Sequence, residues 1–328
     1  MPNPYPESSD EEILQLILQG DHQNPRRRRQ IRREPNGAPS FGEVDEVGVL
    51  VVPNDRDTFD NLVLHEECQR DIHAGLRAIR KRRQMEAIWH IEKIVPQAGR
   101  CILNFFGAPG TGKTRAATAV SRLLGKRMYQ CDYSAIISKY LGDTAKHIVH
   151  AFRRAEELEC VLFLDEADAL LSSRVNMDQS CATSINQNRN TLMQELDRFD
   201  GVVILTTNLF GNYDSALLRR IARHIEFKLP DTDMLKKLFE LHLPAPKRVQ
   251  ADLAKVAEKA SGLAGGDVFN ICVNAIYASS EDDDTDKWIL TQDRLIKETE
   301  KVLAIKADHA RIGQRKHDIT NWAAKRAN

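Results

Sequence analysis

Eight consecutive residues, Gly107-Ala108-Pro109-Gly110-Thr111-Gly112-Lys113-Thr114, satisfy the spacing G-x-x-x-x-G-K-[ST]. Such a loop wraps a phosphate in backbone N–H groups, because glycine tolerates the tight conformation that the wrap demands. Lys113 is placed to reach the β- and γ-phosphates of a nucleotide such as ATP, and the Thr114 hydroxyl offers an oxygen to Mg2+. Further along, the apolar run Val161-Leu162-Phe163-Leu164 ends in Asp165 and Glu166. Asp165 reads as a metal-holding carboxylate acting through water, and Glu166 as the group that polarises an attacking water. Hydrolysis of a phosphoanhydride needs both, and the pairing with the loop is what makes either informative.

The elements around these residues must hold them together. The loop follows an apolar strand at 101–106 and opens a helix at 113–124, which sets a helix N-terminus behind the phosphates. Further strands are expected near 127–131, 160–164, 202–206 and 224–228, separated by helices, and a helical pattern runs over 66–95. Continuous apolar strands alternating with helices give an α/β fold: a P-loop NTPase parallel sheet sandwiched by helices. After Pro230-Asp231 the β signals stop. Residues 233–242, 251–260, 265–280 and 291–303 read as helices of a small α-helical lid domain. The chain thus divides into a flexible arm over 1–45 with one short helix, an ATPase-type α/β domain over 46–230, a lid over 231–305 and a basic C-terminal tail over 306–328.

Composition narrows the class. In 328 residues, 47 basic and 47 acidic side chains cancel, which excludes a globally basic nucleic-acid coat protein or a polyanionic tail. The longest apolar runs are strand-length, so no membrane association is expected. Six cysteines are scattered without a Cys-x-x-Cys pair, as befits reduced thiols and a cytoplasmic setting. His147 and His150 lack a third ligand at metal-binding spacing and read as helix-surface histidines.

Over roughly 55–305 the sequence resembles a AAA+ ATPase, within the AAA family proper, with the loop and the Asp165-Glu166 pair as its Walker A and Walker B motifs. A helicase reading of Asp165-Glu166-Ala167-Asp168 fails for want of a second motor domain. The strand ending in Thr206-Thr207-Asn208 is similar to the family's sensor 1 element, which implies that Asn208 positions the lytic water. The segment Leu217-Leu218-Arg219-Arg220-Ile221-Ala222-Arg223 resembles that of meiotic-clade members such as katanin and spastin. The resemblance implies that Arg219 and Arg220, with Arg223 a weaker third, enter the neighbouring subunit's nucleotide site, so that the active form is expected to be a homo-oligomeric ring, a hexamer. It also implies base contacts from Leu62 and Val63 and lid contacts from His242, Gly265 and Gly266. His242 is equally readable as structural. Leu235-Lys236 departs from the family, which often has arginine near position 235.

The run Lys139-Tyr140-Leu141-Gly142 is similar to the family's pore loop. There a flat aromatic face intercalates between side chains of an extended polypeptide with little sequence preference. The polar segment 174–190 occupies the place of the second pore loop. The resemblance therefore implies ATP and Mg2+ as cofactors, and hydrolysis coupled to remodelling, unfolding or disassembly of a protein client through a central pore. An alternative stays open: a nucleic-acid-associated, loader-like AAA+ ATPase anchored by the arginine run Arg26 to Arg33.

Overall fold

The computed structural model describes residues 40–90, 93, 100–132, 136, 143–168, 179–208, 215–280 and 285–326. The expected arm helix, the arginine run and Lys139, Tyr140, Leu141 and Gly142 lie outside the described residues. No described helix is long and apolar enough to cross a membrane.

Five strands run parallel: β3 (Cys101–Gly107), β4 (Met128–Asp132), β5 (Val161–Asp165), β6 (Val202–Thr207) and β7 (Arg223–Phe227). Their spatial order is β4-β5-β6-β3-β7, so the strand that feeds the phosphate loop lies between β6 and β7. Strand β7, at the sheet edge, buries Ile225 and Phe227 and leaves Arg223 and Glu226 exposed, whereas β3, β4, β5 and β6 bury both faces. On β5, Leu162 and Leu164 enter one core while Val161 and Phe163 enter the other. This is why these strands read as unbroken apolar runs rather than alternating ones.

The sheet is not wholly parallel. β1 (Ser40–Val44) and β2 (Val49–Val52) form a hairpin, and β2 pairs antiparallel with β4. The first strand reaches into the stretch read as an arm, because five residues among acidic neighbours carry little periodicity. Asp45 closes the hairpin turn, its Oδ1 accepting from the N–H groups of Val47 and Gly48 at 2.9 Å each.

Helices α1 (Glu66–Arg80) and α2 (Arg82–Trp89) replace the single helix expected over 66–95. The second ends at His90, whose left-handed φ of 47° supplies a C-terminal stop. Helix α3 (Lys113–Leu123) follows the loop, and α4 (Asp143–Glu157) precedes β5. Helix α5 (Gln179–Arg198) starts inside the segment read as a second pore loop, so much of that segment is helical. The short α6 (Ser215–Leu218) leads into β7.

The lid comprises α7 (Thr232–His242), α8 (Leu253–Lys259), α9 (Gly265–Ser279) and α10 (Gln292–Arg326). Asp231 caps α7 by accepting from Met234 N at 2.8 Å, which explains why helix begins there once the sheet ends. Leu235, Phe239, Val256, Ile271 and Leu295 build a third core. Leu235, the departure noted above, is a core residue here. Two β signals do occur after residue 230: Val249–Gln250 and Leu290–Thr291 pair in parallel. The basic tail is a further correction, since α10 runs unbroken to Arg326. Its charge suggested a loose end, yet from Ala304 onward it holds no proline and many good helix formers. Cys68, Cys101, Cys131, Cys160 and Cys272 are buried free thiols. Burial pushes the pKa of Cys68, Cys101 and Cys272 up to about 12.

Candidate active site

The phosphate loop leaves β3 at Gly107, whose φ of 142° and close approach to β7 demand glycine. A Cβ there would sit 2.3 Å from the Phe227 carbonyl oxygen. Gly112, at φ 96°, forms the N-cap of α3. The loop's open N–H groups and the helix N-terminus therefore face the same space. The lid reaches the loop directly, with Gly266 N donating to Gly110 O at 2.9 Å.

Lys113 is buried, and its Nζ donates to Gly107 O (2.7 Å), Ala108 O (3.0 Å) and Asn208 Oδ1 (2.9 Å). Burial draws its pKa down, against the charges of Asp165, Asp168 and Glu166. Thr111 Oγ1 donates to Ala108 O at 2.8 Å and tightens the loop. Thr114 Oγ1 donates to Asp165 Oδ2 at 3.3 Å, so hydroxyl and carboxylate stand side by side. These oxygen donors fit a hard cation that keeps several waters and is otherwise held by substrate phosphates, as Mg2+ is. Among the described residues no cluster of three His, Cys, Asp or Glu offers a different metal site. His147 instead meets Ile136 O at 3.0 Å and His150 meets Asp45 at 3.4 Å.

Glu166 adopts a left-handed φ of 53°. Such a conformation costs a non-glycine residue about 1–3 kcal/mol and persists only where the surroundings enforce it. Here the Glu166 N–H is held by Thr206 Oγ1 at 3.0 Å and Asp165 Oδ1 at 3.1 Å. Thr206 also donates its hydroxyl proton to Asp165. One threonine thus fixes both acidic residues. Asn208 is fixed likewise: its backbone N–H donates to Asp168 Oδ1 at 3.1 Å, and Thr207 donates to the same carboxylate.

These groups open on a cleft of about 700 Å³ between sheet and lid. Leu62, Val63, His242, Gly265 and Gly266 all line it, together with the loop, Asp165, Glu166 and Asn208. Leu62 packs against the sheet core and Val63 against the lid core, so the pair spans the seam. The His242 ring stacks edge-on to Phe269 at 5.3 Å, and burial followed by the charge of Arg115 lowers its pKa.

The arginines are not part of the cleft's lining. Arg219 is exposed and makes no ion pair among the described residues. Arg220 is bound in its own chain by Asp197, with Nη2 to Oδ2 at 2.6 Å. Arg223 lies 3.9 Å from Asp71. Asp197, Arg115 and Phe269 went unread in the sequence, and Thr206 and Asp168 stood in quoted motifs without a role. The strand pairing held a signal for one of them. Leu164 pairs with Leu205 across β5 and β6, which brings the next residues, Asp165 and Thr206, together.

A parallel sheet with a phosphate loop at its carboxyl end and a carboxylate pair on a neighbouring strand defines a P-loop NTPase. Residues 103–229 match the family described as "ATPase family associated with various cellular activities (AAA)", and this segment is an AAA ATPase domain, of a class that hydrolyses ATP. The chain is 31% identical to 26S proteasome subunit RPT4 of Saccharomyces cerevisiae, over 61% of this chain and 47% of that protein. It is 32% identical to the proteasome-activating nucleotidase of Methanococcus vannielii, over 56% and 46%. To the cell division cycle protein 48 homolog of Archaeoglobus fulgidus it is 35% identical, over 52% and 24%. The matches span less than half the length of each of these relatives.

Proposed function

We propose that this chain is a ring-forming AAA ATPase that couples ATP hydrolysis to unfolding or disassembling a protein client. The observation that carries the reading is a division of the hydrolytic set. The cleft gathers Lys113, Thr114, Asp165, Glu166 and Asn208, while Arg219 stands exposed outside it. The cleft's own cations are Lys113, Arg115 and Lys228, and none of Arg219, Arg220 and Arg223 joins them, so that an arginine of this segment acts on a neighbouring copy's nucleotide, where it supplies about 10³-fold or more in turnover.

In this assignment the loop's backbone N–H groups and Lys113 bind the phosphates, and Leu62, Val63 and His242 receive the base. Bound Mg2+, held by Thr114 and through water by Asp165, would neutralise charge on the phosphate oxygens. Glu166 accepts a proton from the attacking water, and Asn208 orients that water. Arg219 faces the neighbour's phosphates, in the manner of the meiotic-clade resemblance. Tyr140 is assigned to the client-gripping loop.

The relatives' names support a protein client, since two of them are proteasome components or activators. They do not favour the loader-like alternative, whose arginine run lies outside the described residues. The test is ATPase turnover per chain against protein concentration, with and without an unfolded polypeptide. Turnover should rise with assembly and with the polypeptide, and Tyr140→Ala should lose the second rise only. A monomer turning over at full rate would remove the reading.

A further inference from the structure

The two neighbouring arginines differ in what surrounds them. Arg220 Nε donates to Asp197 Oδ1 at 2.9 Å, Nη2 to Oδ2 at 2.6 Å, and Nη1 to Ala216 O at 2.8 Å. A fork-on-fork pair of this kind fixes orientation as well as distance. Arg100 adds a contact to Asp197 at 3.4 Å and one to Leu196 O at 3.4 Å. Asp197 belongs to the last turn of α5, so the pair ties the turn after α6 to that helix. On its other side the turn is pinned by Ala222 N donating to Ile102 O at 2.8 Å, on the strand that feeds the phosphate loop. Arg219 immediately precedes the anchored stretch 220–222 and is exposed.

We propose that Arg220 is a positioning residue that acts within its own subunit, clamping this turn to α5 through Asp197 so that Arg219 alone is presented to the neighbouring copy. The proposal rests on the shared-site reading above and narrows it from two crossing arginines to one. For Arg220 to cross the seam as well, it would have to give up a bidentate carboxylate and a carbonyl, and leave Asp197 to Arg100 alone.

The experiment compares steady-state ATPase and fluorescent-nucleotide affinity for Arg219→Ala, Arg220→Ala, Asp197→Asn and Asp197→Glu in the full chain. Arg219→Ala should lose about 10³-fold in kcat. Arg220→Ala and Asp197→Asn should fall together, by about 10²-fold in kcat with KM and nucleotide affinity unchanged, the size of a misplaced catalytic group. Asp197→Glu, which keeps a carboxylate, should recover most of that loss. Parental turnover in Asp197→Asn beside an Arg220→Ala protein as dead as Arg219→Ala overturns the clamp, because Arg220 then acts across the seam itself. Should Asp197→Asn fail to bind nucleotide, the exchanged pair Asp197→Arg with Arg220→Asp carries the comparison: recovered turnover there supports the clamp, and a protein that binds nucleotide yet is as dead as Arg219→Ala overturns it. Parental turnover in Arg219→Ala would instead sink the shared-site reading.

Discussion

Lys113 and Asn208 meet across the gap between the phosphate loop and the end of β6, Nζ to Oδ1 at 2.9 Å. With the carbonyls of Gly107 and Ala108, Asn208 occupies all three protons of the ammonium. These acceptors are neutral, so a phosphate entering the loop competes for the cation with a full charge against partial ones. The same exchange would release the Asn208 side chain at the moment it is needed beside the attacking water.

Separate consequences should then attach to the two residues. Asn208→Ala should leave ATP affinity at or slightly above the parental value, and lower kcat by about 10²-fold, as loss of a positioned polar group does. Lys113→Ala should lose nucleotide binding itself. Equilibrium titration with a fluorescent ATP analogue, set beside steady-state turnover, separates them. Equal binding losses in both variants would contradict the exchange.

Gly107 and Gly262 test strain against space. Both have positive φ, 142° and 85°, but a Cβ at Gly107 meets Phe227 O at 2.3 Å whereas one at Gly262 meets nothing within 4 Å. Gly262→Ala should cost about 1–2 kcal/mol, the left-handed penalty alone. Gly107→Ala must also push β7 off β3, and should cost more than the sum of that penalty and an ordinary core substitution of about 1 kcal/mol. Urea midpoints for the two variants give the order directly.

His242 makes stability depend on pH. Burial, and then Arg115, lowers its pKa below that of a free histidine. The unfolded chain therefore takes up a proton first as pH falls. The neutral ring's contribution is complete above the unfolded value of about 6.5 and is lost as pH drops from there through the lowered folded value. His224, lowered by burial, adds in the same direction. Stability measured by urea melts should thus fall between neutrality and mild acid, and His242→Gln should flatten part of the slope. Arg115→Gln should raise the His242 pKa, which its ring proton shifts in NMR would report. An unchanged titration would mean that Arg115 does not act on the ring.

The phosphate loop and the Asp165-Glu166 pair were legible because each motif's chemistry is local in sequence and its strands are buried on both faces. Leu62, Val63, His242, Gly265 and Gly266 required a resemblance, since their meeting depends on how the lid folds back over the sheet. The hairpin of β1 and β2 was missed because it is stabilised from outside itself, through β4 and through Asp45. The 35 residues of α10 were underestimated because charge was read as looseness. Arg219 and Arg220 look alike in sequence, and only Asp197, from a helix distant in the chain, tells them apart.

Asp45 is where that hairpin's stability concentrates. Tyr129 on β4 donates its hydroxyl to Asp45 Oδ1 at 2.6 Å, alongside the Val47 and Gly48 N–H groups, and His150 and Arg154 of α4 approach the other oxygen. Burial alone would raise the Asp45 pKa, but the hydrogen bonds from Tyr129, Val47 and Gly48 outweigh it and leave it lowered. Asp45→Ala strands a buried hydroxyl and two turn amides, so it should cost about 2–3 kcal/mol, while Tyr129→Phe removes a single bond and should cost about 1. Because the carboxylate is the form held, this contribution is complete above the unfolded value of about 3.9 and vanishes as pH falls through the folded one. Hydrogen exchange at Val49–Val52 is the local readout. In Asp45→Ala these amides should exchange at the rate of a fraying edge while those of β5 and β6 stay protected, and retained protection at Val49–Val52 would show that β4 holds the hairpin without the Asp45 anchor.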